Sequence, residues 1–410
     1  MIRIVAIAGL ALAAVIGQMT PAAPLNAARI AALPAAERAP WLAYLERSQA
    51  LATADKAALA AERRGLAALP QDPAEGKSAG MPLRSDAAWY RGPEARHVAD
   101  NILSFQTPAG GWSKNQDRSG PVRQRGQAWA YGGAIPEGGS WNYVGTIDNG
   151  ATTTELRFLA RIQRDYPGAE GDAYRAAFAK GVRYLLAAQY PNGGWPQVYP
   201  LQGGYHDAIT FNDDALADVV TLLAEAGGRE GDFAFVASAL ATEAAAAVDR
   251  AYKLILATQV VVDGKRTVWG QQHDMLTGAP TGARNFEPAS LSSGESAGLL
   301  VLLMRRRDPS PETQAAIEAG VGWLRDHAVR DMAWESGADG RKLVARPGAS
   351  VIWSRFYDLA TMKPIFGDRD KTIHDDVNEL SRERRNGYSW FNATPKKALD
   401  AYEKWPGRTR

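Results

Sequence analysis

The sequence contains no cysteine, and this absence excludes several kinds of chemistry. A chain without thiols has no disulfide, no thiol nucleophile, no zinc–thiolate centre and no iron–sulfur cluster. Its fold must therefore be held by packing alone, which a chain of 410 residues can achieve.

Histidine and blocks of like charge are scarce as well. The five histidines include no pair with the spacing of a zinc site, and the motif His-Glu-x-x-His is missing. The sequence motifs of serine hydrolases, of P-loops and of dinucleotide sites are also missing in usable contexts. The formal net charge is +2 without a Lys/Arg block, so nucleic acid is not expected as a partner.

Long apolar runs are confined to the N-terminus, which has the features of a secretory signal. Arg3 supplies a positive start, residues 4–16 are apolar, and small residues follow between positions 22 and 28. The apolar run is too short for a spanning helix. We predict a signal peptide over residues 1–28, a secreted or periplasmic mature chain, and no membrane contact after cleavage. An uncleaved anchor is the alternative interpretation.

Two regions follow the predicted signal. Residues 29–81 are rich in alanine with leucines at helical spacings, which predicts a helical N-terminal extension. Residues 82–410 alternate helical patterns with loops rich in glycine and aromatic residues, and are predicted to form the main domain. Period-two patterns are scarce, and residues 260–269 around Asp263-Gly264 are the best hairpin candidate. Helices of this domain are predicted near residues 213–227, 236–259, 293–306, 312–330 and 373–386.

An internal repeat indicates how these helices are arranged. Residues 102–112 match residues 185–195 at an offset of 83, and both segments end in Gly-Gly-Trp. Residues 254–259 give a weaker third copy. Repeated helix–turn units predict an all-α toroid, a solenoid of helices closed on itself. Trp195 could pack against the helix ends of such a toroid or serve as a platform for a substrate, and the sequence favours neither.

Two acidic clusters precede strong helical patterns. The first, residues 146–155, contains Asp148, and the second, residues 206–214, contains His206 and Asp213. Each cluster could cap the helix that follows it. Each could also offer carboxylate, amide and hydroxyl oxygens to a hard cation such as Ca²⁺. His206 could touch a substrate or be an ordinary loop histidine.

Three arginines lie in aromatic or glycine-rich loops, at Arg284, Arg355 and Arg369. A guanidinium group binds carboxylates with a planar, bidentate fork. If these loops converge, they would make a site for a polyanion. Each arginine alone could equally be a structural ion-pair partner, above all Arg369, which stands between two aspartates.

Taken together, these stretches resemble the family 10 pectate lyases. The resemblance extends over residues 82–392. It is carried by residues 110–115, 146–153, 187–200, 204–214, 269–274, 282–295, 351–358 and 383–388.

The resemblance implies a fold, a reaction and a set of site residues. The fold would be an (α/α)₃ toroid-like helical barrel with glycine- and aromatic-rich loops. The reaction would be the cleavage of polygalacturonate by Ca²⁺-assisted anti β-elimination across C4–C5 of galacturonate. Asp148 matches the calcium-ligating aspartate of the family and Asp213 a second acidic residue, while Arg284 matches the proposed base. Substrate binding is assigned to Lys114, Arg355, Arg369, Trp195 and His206. No feature requires an oligomer, so a monomer is expected.

Three alternatives to a pectate lyase remain open at this point. The Gln-x-x-x-Gly-x-Trp repeat at Gln106 and Gln189 partly fits terpenoid cyclases, although their Asp-x-Asp-Asp motif is missing. A toroid-fold uronide or glycoside hydrolase would need two essential carboxylates, for which Asp207 and Asp214 are candidates. A non-catalytic exported pectin-binding protein would keep the toroid without the activity.

Overall fold

The computed structural model of the protein describes residues 22–76, 81–131, 143–166 and 168–408. Most of the predicted signal peptide therefore lies outside the described residues. The described chain is dominated by helices, as the all-α prediction requires, and its strands are short. The helices are α1 Ala27–Ala31, α2 Ala35–Arg63, α3 Pro93–Ser104, α4 Thr153–Ile162, α5 Ala169–Ala188, α6 Ala215–Gly228, α7 Ser238–Thr258, α8 Ser293–Met304, α9 Pro311–Asp326, α10 Arg382–Asn386 and α11 Pro395–Lys404.

The described strands pair antiparallel, two by two, and tie loops together without forming a larger sheet. The pairs are β1–β4, β2–β3, β5–β9, β6–β7, β8–β12 and β10–β11. Their bounds are β1 Ile209–Thr210, β2 Val261–Val262, β3 Lys265–Arg266, β4 Gln272–His273, β5 Leu291–Ser292, β6 Met332–Gly337, β7 Gly340–Ala345, β8 Trp353–Ser354, β9 Phe356–Tyr357, β10 Phe366–Gly367, β11 Ile373–His374 and β12 Phe391–Asn392.

The helices of the main domain form two layers. Helices α3, α5, α7 and α9 contact one another in sequence, and so do α4, α6, α8 and α11 in the second layer. Helix α8 is largely apolar and mostly buried, and α6 buries its apolar residues while exposing only residues 224, 225 and 228, which places the second layer inside. Three consecutive outer–inner pairs, α3–α4, α5–α6 and α7–α8, make the toroid, and α9 with α11 adds a fourth.

One tryptophan closes each outer–inner pair. In all four pairs the indole Nε1 donates a hydrogen bond of 2.7 Å to a carbonyl oxygen near the end of the outer helix. The four donor–acceptor pairs are Trp112 to Ile102, Trp195 to Leu185, Trp269 to Ile255 and Trp353 to Leu324. These carbonyls are among those that an α-helix leaves without an internal partner, so each tryptophan acts as a cap as well as a core residue.

A glutamine links each outer helix to the next. The amide nitrogen of Gln189 donates to Gly193 O in its own turn at 3.0 Å and to Ala247 O of α7 at 2.9 Å. Gln106 and Gln259 repeat this arrangement, at Ala177 O of α5 and Ala316 O of α9 respectively. The weak third copy of the sequence repeat is therefore a structural repeat as well.

Glycine is required in the turn between this glutamine and the tryptophan. Gly193 has φ 102°, and a Cβ atom there would lie 2.4 Å from Arg250 O. Gly110 has φ 113° and is similarly close to Lys180 O. A side chain at either position would push the turn away from the neighbouring helix.

The chain crosses from each tryptophan to the inner helix in the same way. Thr146 N donates to Trp112 O at 2.9 Å, Thr210 N to Trp195 O at 3.1 Å, and Ser292 N to Trp269 O at 2.7 Å. The segments that precede α4, α6 and α8 are thereby brought to the same end of the toroid. Both acidic clusters lie in these segments.

The N-terminal extension packs on the outer turns. Trp41 and Tyr44 of α2 lie with ring centroids 5.2 and 4.7 Å from Tyr190. Asp55 accepts a hydrogen bond of 2.8 Å from Ala109 N in the first glycine-rich turn. Helix α2 thus shares the main core.

A second, smaller core lies under residues 332–392. It contains Phe356, Phe366 and Trp390, and it supports the loops that carry Arg355 and Arg369. Strands β6 and β7, of six residues each, form a hairpin in this region, and the sequence patterns did not predict it. The hairpin predicted at residues 260–269 is present as β2–β3.

The helix predicted over residues 373–386 is wrong. This segment contains β11, a short 3₁₀ turn at Val377–Glu379 and the single-turn helix α10. Asp376 caps the 3₁₀ turn and Ser381 caps α10, so two capping side chains divide what would otherwise be one helix.

Replacing Trp195 tests its capping role. Trp195→Phe removes the donor to Leu185 O and leaves that buried carbonyl without a partner, which should lower the free energy of unfolding by about 1–3 kcal/mol. KM for substrate should stay unchanged, because the indole is fully buried. The measurement is urea unfolding together with steady-state kinetics. Trp89→Phe, whose indole bonds Glu94 at the surface, is the control. A raised KM with unchanged stability would contradict the packing role.

Candidate active site

A polar cleft lies where the segments before α4 and α6 meet the loops after β4. It encloses about 120 Å³. The side chains around it are almost all charged or amide-bearing. The lining residues are Lys114, Tyr143, Asp148, Asn149, Gln197, Tyr205, Asn212, Asp213, Gln271, Gln272, Ala283, Arg284 and Glu287.

Asp148 is one of two deeply buried acids of the cleft, with Glu287. It begins the 3₁₀ turn Asp148–Gly150, whose central residue Asn149 has φ 53°. Its Oδ2 atom pairs with Lys114 Nζ at 2.5 Å, and its Oδ1 atom is buried without a hydrogen-bond partner. The carboxylate accepts no bond from the first turn of α4, so the capping interpretation does not apply to Asp148. An unpaired buried carboxylate oxygen is costly unless a ligand satisfies it.

Asp213 occupies the equivalent turn before α6 and has φ 51°. Its side chain is 48% exposed, 3.7 Å from Arg355 Nη2. Its removal from water raises the pKa of Asp213, the charge of Arg355 lowers it, and the charges of Glu295 and Asp148 raise it again. The net pKa is above the ordinary value, so a cation near Asp148 and Asp213 would be favoured.

The oxygens around Asp148 fit a hard cation. No three acidic or histidine side chains come together in the described ranges, so carboxylates alone would not enclose a metal. The amide oxygens of Gln197 and Gln272 also line the cleft, and both are buried without a partner. Ca²⁺ takes mixed carboxylate, amide and water oxygens, which is the donor set present here.

Arg284 lines the same cleft and is paired with Glu287. Its Nε and Nη2 atoms donate to the two oxygens of Glu287 at 2.8 and 2.6 Å. Among the described residues its Nη1 atom has no hydrogen-bond partner. Burial lowers the pKa of Arg284, but the hydrogen bond and charge of Glu287 outweigh this and raise it above its ordinary value. Burial raises the pKa of Glu287, but Arg284 brings it down to about 2.

Arg355 is held inside the protein's own network. Its side chain is 13% exposed, and Nη2 donates to Glu295 at 2.7 Å and to Asn212 at 2.9 Å. Burial lowers the pKa of Arg355, and the opposing effect of Glu295 raises it well above the ordinary value. The Arg355 guanidinium lies behind Asp213, which itself lines the cleft.

Arg369 joins the site through the loop of Arg284. The amide of Asn285 donates to Arg369 O at 2.6 Å, and the Arg369 guanidinium lies 4.9 Å from the Phe286 ring centre. Its charge is paired with the exposed Glu383 at 3.2 Å. Arg384, which the sequence interpretation did not single out, lies 4.2 Å from the same ring. Three guanidinium groups, with Arg284 at 4.8 Å, therefore surround one phenylalanine.

His206 and Trp195 have different surroundings. His206 Nε2 lies 3.2 Å from the hydroxyl of Tyr143, beside the cleft. Burial and then the charge of Lys114 lower the pKa of His206 to about 4, so the ring is neutral near pH 7. Trp195 is fully buried with its Nε1 bonded to Leu185, so the structure favours the packing role that the sequence left open.

The carboxylate pair suggested for a hydrolase does not share a cleft. Asp207 is buried and accepts hydrogen bonds from the backbone of Leu25 and Gly203, at 3.0 and 2.8 Å. Asp214 lines a separate cleft, beside Asp218. The two-carboxylate arrangement of a glycosidase is not formed by these residues.

Comparisons with known proteins show the family of the chain. The family model for pectic acid lyase matches residues 106–399. The chain belongs to the pectic acid lyase family. A family 10 polysaccharide lyase from Cellvibrio cellulosa is similar at 34% identity, over 80% of this chain and 98% of that chain, with a TM-score of 0.67. A mutant of that lyase in complex with trigalacturonic acid is similar at 34% identity, over 81% of this chain and 100% of that chain, with a TM-score of 0.66. No curated protein matches the chain.

Membership of the pectic acid lyase family confirms the predicted resemblance and the toroid fold. It also sets aside the terpenoid cyclase, since the chain is a polysaccharide lyase of the pectate lyase type. No helix among the described residues is long and apolar enough to cross a membrane.

Several residues of the site were missed in the sequence. The partners of the arginines, Glu287 and Glu295, and the phenols Tyr143 and Tyr205 carry no motif of their own. A signal for Glu287 was present, because it lies three residues after Arg284 in the same loop. The others are distant in sequence from what they contact, and only the fold brings them together.

The buried Arg355–Glu295 pair gives a prediction on stability. Glu295→Gln leaves a buried guanidinium with one carboxylate fewer, and should lower the free energy of unfolding by about 3 kcal/mol. Chemical denaturation measures this change. Glu383→Gln, which removes an exposed partner of Arg369, should leave the free energy of unfolding nearly unchanged, because solvent screens this pair. Equal effects of the two substitutions would contradict the assigned importance of the buried pair.

Proposed function

We propose that the enzyme cleaves polygalacturonate by Ca²⁺-assisted anti β-elimination, with Arg284 as the general base. One observation carries the proposal. Asp148, a buried carboxylate, shares one polar cleft with the guanidinium of Arg284, and among the described residues neither Asp148 Oδ1 nor Arg284 Nη1 has a hydrogen-bond partner. The complex of the Cellvibrio lyase with trigalacturonic acid supports galacturonate as the substrate unit.

The chemistry requires a neutralised carboxylate. The C5 hydrogen of galacturonate is α to a carboxylate, and its removal places further negative charge on that group. Cations around the carboxylate stabilise this charge as it develops. We assign the task to Lys114, which lines the cleft, and to Arg355 and Arg369, which lie behind its lining at Asp213 and at the Arg284 loop.

Asp148 and Asp213 would hold the calcium ion, with amide oxygens of Gln197 and Gln272 in reach of the same space. A bound Ca²⁺ supplies Lewis acidity to the substrate carboxylate. The chain's own contribution is a set of buried oxygens that have no other partner.

Arg284 can act as a base only in its neutral form. Glu287 raises the pKa of Arg284, so the neutral guanidine is rare near pH 7. The bidentate pair occupies Nε and Nη2, which leaves Nη1 to receive the C5 proton. Cationic substrate-binding groups and a bound cation would lower this pKa again, since like charges disfavour the protonated form.

A spectrophotometric assay tests the proposed reaction. Elimination gives a conjugated product that absorbs in the ultraviolet, whereas hydrolysis or binding alone does not. Arg284→Ala should lower kcat by at least about 10³-fold and leave affinity for trigalacturonate largely unchanged. Arg325→Ala, an exposed arginine paired with Glu403, is the control. A wild-type rate in Arg284→Ala would show that another group is the base, and no absorbance with the wild type would favour a pectin-binding protein.

Asp148→Ala tests the cation site. Without this carboxylate, activity should no longer respond to added calcium or to a chelator, and calorimetry with CaCl₂ and trigalacturonate should show binding weakened by at least about 10-fold. Asp249→Ala, on the exposed side of α7, should keep the wild-type response. A chelator response that persists in Asp148→Ala would refute the assignment.

The dependence on pH tests the base. Below the pKa of Arg284, the neutral fraction rises about tenfold per pH unit, so kcat/KM should rise towards alkaline pH. Glu287→Gln removes the main group that raises this pKa, so its alkaline limb should lie at lower pH than that of the wild type. Glu383→Gln should leave the profile in place. An unshifted profile in Glu287→Gln would argue against Arg284.

Export and domain limits also remain proposals. Ala22 and Leu25 are buried, Leu25 N bonds Asp207, and Arg29 pairs with Asp274 at 2.5 Å. Cleavage at residue 28 would remove the Leu25 contact, so we propose that a signal peptide is cleaved before Ala22 and not at residue 28. The extension predicted at residues 29–81 would then begin at residue 22, and its end at residue 81, the catalytic domain at residues 82–410 and a monomeric state are retained as proposals.

A further inference from the structure

We propose that Tyr205 is the general acid of the elimination, and that Tyr143 and His206 form a chain that resupplies its proton. The inference rests on the proposed function. It names the donor of the second proton in the reaction, the one that the leaving oxygen O4 takes up. When the C4–O4 bond breaks, O4 would leave as an alkoxide. The hydroxyl formed from it has a pKa far above neutral pH, so a nearby proton donor accelerates the departure of O4.

The chain is formed by three side chains at one wall of the cleft. The hydroxyls of Tyr143 and Tyr205 lie 3.2 Å apart, and His206 Nε2 lies 3.2 Å from the Tyr143 hydroxyl. Both phenols line the cleft together with Arg284 and Asp148. The charge of Arg284 acts on both of them, lowering their pKa values against the larger effect of burial, so they face the same space as the base.

Tyr205, not Tyr143, is the residue free to donate to a substrate. The Tyr143 hydroxyl has neighbours on two sides, and its ring face is covered by Lys114 Nζ at 3.6 Å from the centre. The Tyr205 hydroxyl has one hydrogen-bond partner among the described residues. If His206 donates to Tyr143 and Tyr143 donates to Tyr205, the Tyr205 proton is left pointing to a ligand.

The backbone holds these groups in place. Tyr143 has φ 56°, a left-handed conformation that is rare for an aromatic residue. Its N–H donates to Gln202 Oε1 at 3.1 Å. Tyr205 belongs to the 3₁₀ turn Gly204–Asp207, and its ring packs edge-on against His206 with centroids 4.2 Å apart.

The protonation states suit an enzyme with an alkaline base. Burial raises the pKa of Tyr205 above its ordinary value. Tyr205 therefore keeps its proton at pH values at which an ordinary tyrosine begins to ionise. His206, with a pKa of about 4, stays neutral over the same range.

The step balances as follows. The C5–H bond breaks and its proton goes to Arg284 Nη1, and the electron pair forms the C4=C5 double bond. The C4–O4 bond breaks with its electron pair on O4, which takes the proton of the Tyr205 hydroxyl and becomes the new end hydroxyl. The tyrosinate is reprotonated through Tyr143 and His206 from water, and Arg284 returns its proton to water.

The test compares two leaving groups in Tyr205→Phe. With polygalacturonate, kcat should fall by at least 100-fold while KM changes less than about threefold. With a galacturonide that carries a 4-nitrophenyl ether at O4, whose phenolate leaves without a proton, the variant should retain at least half of the wild-type kcat. Tyr143→Phe keeps the donor but interrupts the resupply, so its loss on polygalacturonate should be about tenfold. Tyr174→Phe, a buried tyrosine bonded to Asp100 between α5 and α3, should behave as wild type.

Each result decides one question. Equal losses on both substrates would make Tyr205 a positioning residue and overturn the proposal, and so would an undiminished rate on polygalacturonate. A fall in the melting temperature of Tyr205→Phe is separated from the chemistry by the 4-nitrophenyl substrate, because misfolding lowers both rates. If the wild type forms no ultraviolet-absorbing product from polygalacturonate, the proposed function fails first, independently of any Tyr205 result.

Discussion

The hydrogen bond from an indole nitrogen to the last carbonyls of an outer helix is the constraint on which the rest of the structure depends. It recurs at Trp112, Trp195, Trp269 and Trp353 with the same length, 2.7 Å. The bond fixes where the outer helix ends and turns the chain inward. The carbonyl of the same tryptophan then receives the N–H of the segment that precedes the inner helix. Because this happens in successive pairs, the starts of α4, α6 and α8 meet at one end of the toroid, and a cleft forms without any residue being placed there individually.

The cleft is built from groups that the protein does not satisfy by itself. Within the described part of the chain, buried oxygens of Asp148, Gln197 and Gln272 have no partner, and the charge of Asp148 adds to the raised pKa of Asp213. Asn149 and Asp213, in the turns before α4 and α6, adopt left-handed conformations, as does Tyr143. Strain and unpaired polar groups persist only where the surrounding packing over-determines them. The rigid frame of tryptophan and glutamine bonds provides that packing, and a ligand with cationic and hydroxyl groups would complete the unpaired oxygens.

The sequence predicted the parts that repeat and missed the parts that converge. The Gly-Gly-Trp turns, α6 to α9 and the β2–β3 hairpin follow from local periodicity and turn chemistry, and the structure contains them. Trp195 was undecidable, because a tryptophan in a loop looks the same whether its indole nitrogen reaches a carbonyl or a substrate. Residues 373–386 appeared helical because the break before α10 also involves a non-local contact, the hydrogen bond from Ser381 N to Asp368 Oδ2, 13 residues earlier. Glu295 could not be linked to Arg355, 60 residues away, before the fold was known.

The charges around the two proposed proton-transfer groups follow one logic. Glu287 raises the pKa of Arg284, and burial raises the pKa of Tyr205. Taken alone, the first effect makes the neutral form of the base scarcer, and the second makes the phenol a weaker acid. For the elimination, the base must lose a proton under conditions in which the acid still holds one, so the bound cation and the substrate-binding cations would have to lower the pKa of Arg284 below that of Tyr205. A cleft that lowered both values would ionise the phenol before the guanidine, and the departing oxygen would then meet a tyrosinate in place of a donor. Keeping the pKa of the acid high is therefore as necessary as freeing the base, and the burial of Tyr205 beside the neutral His206 provides it.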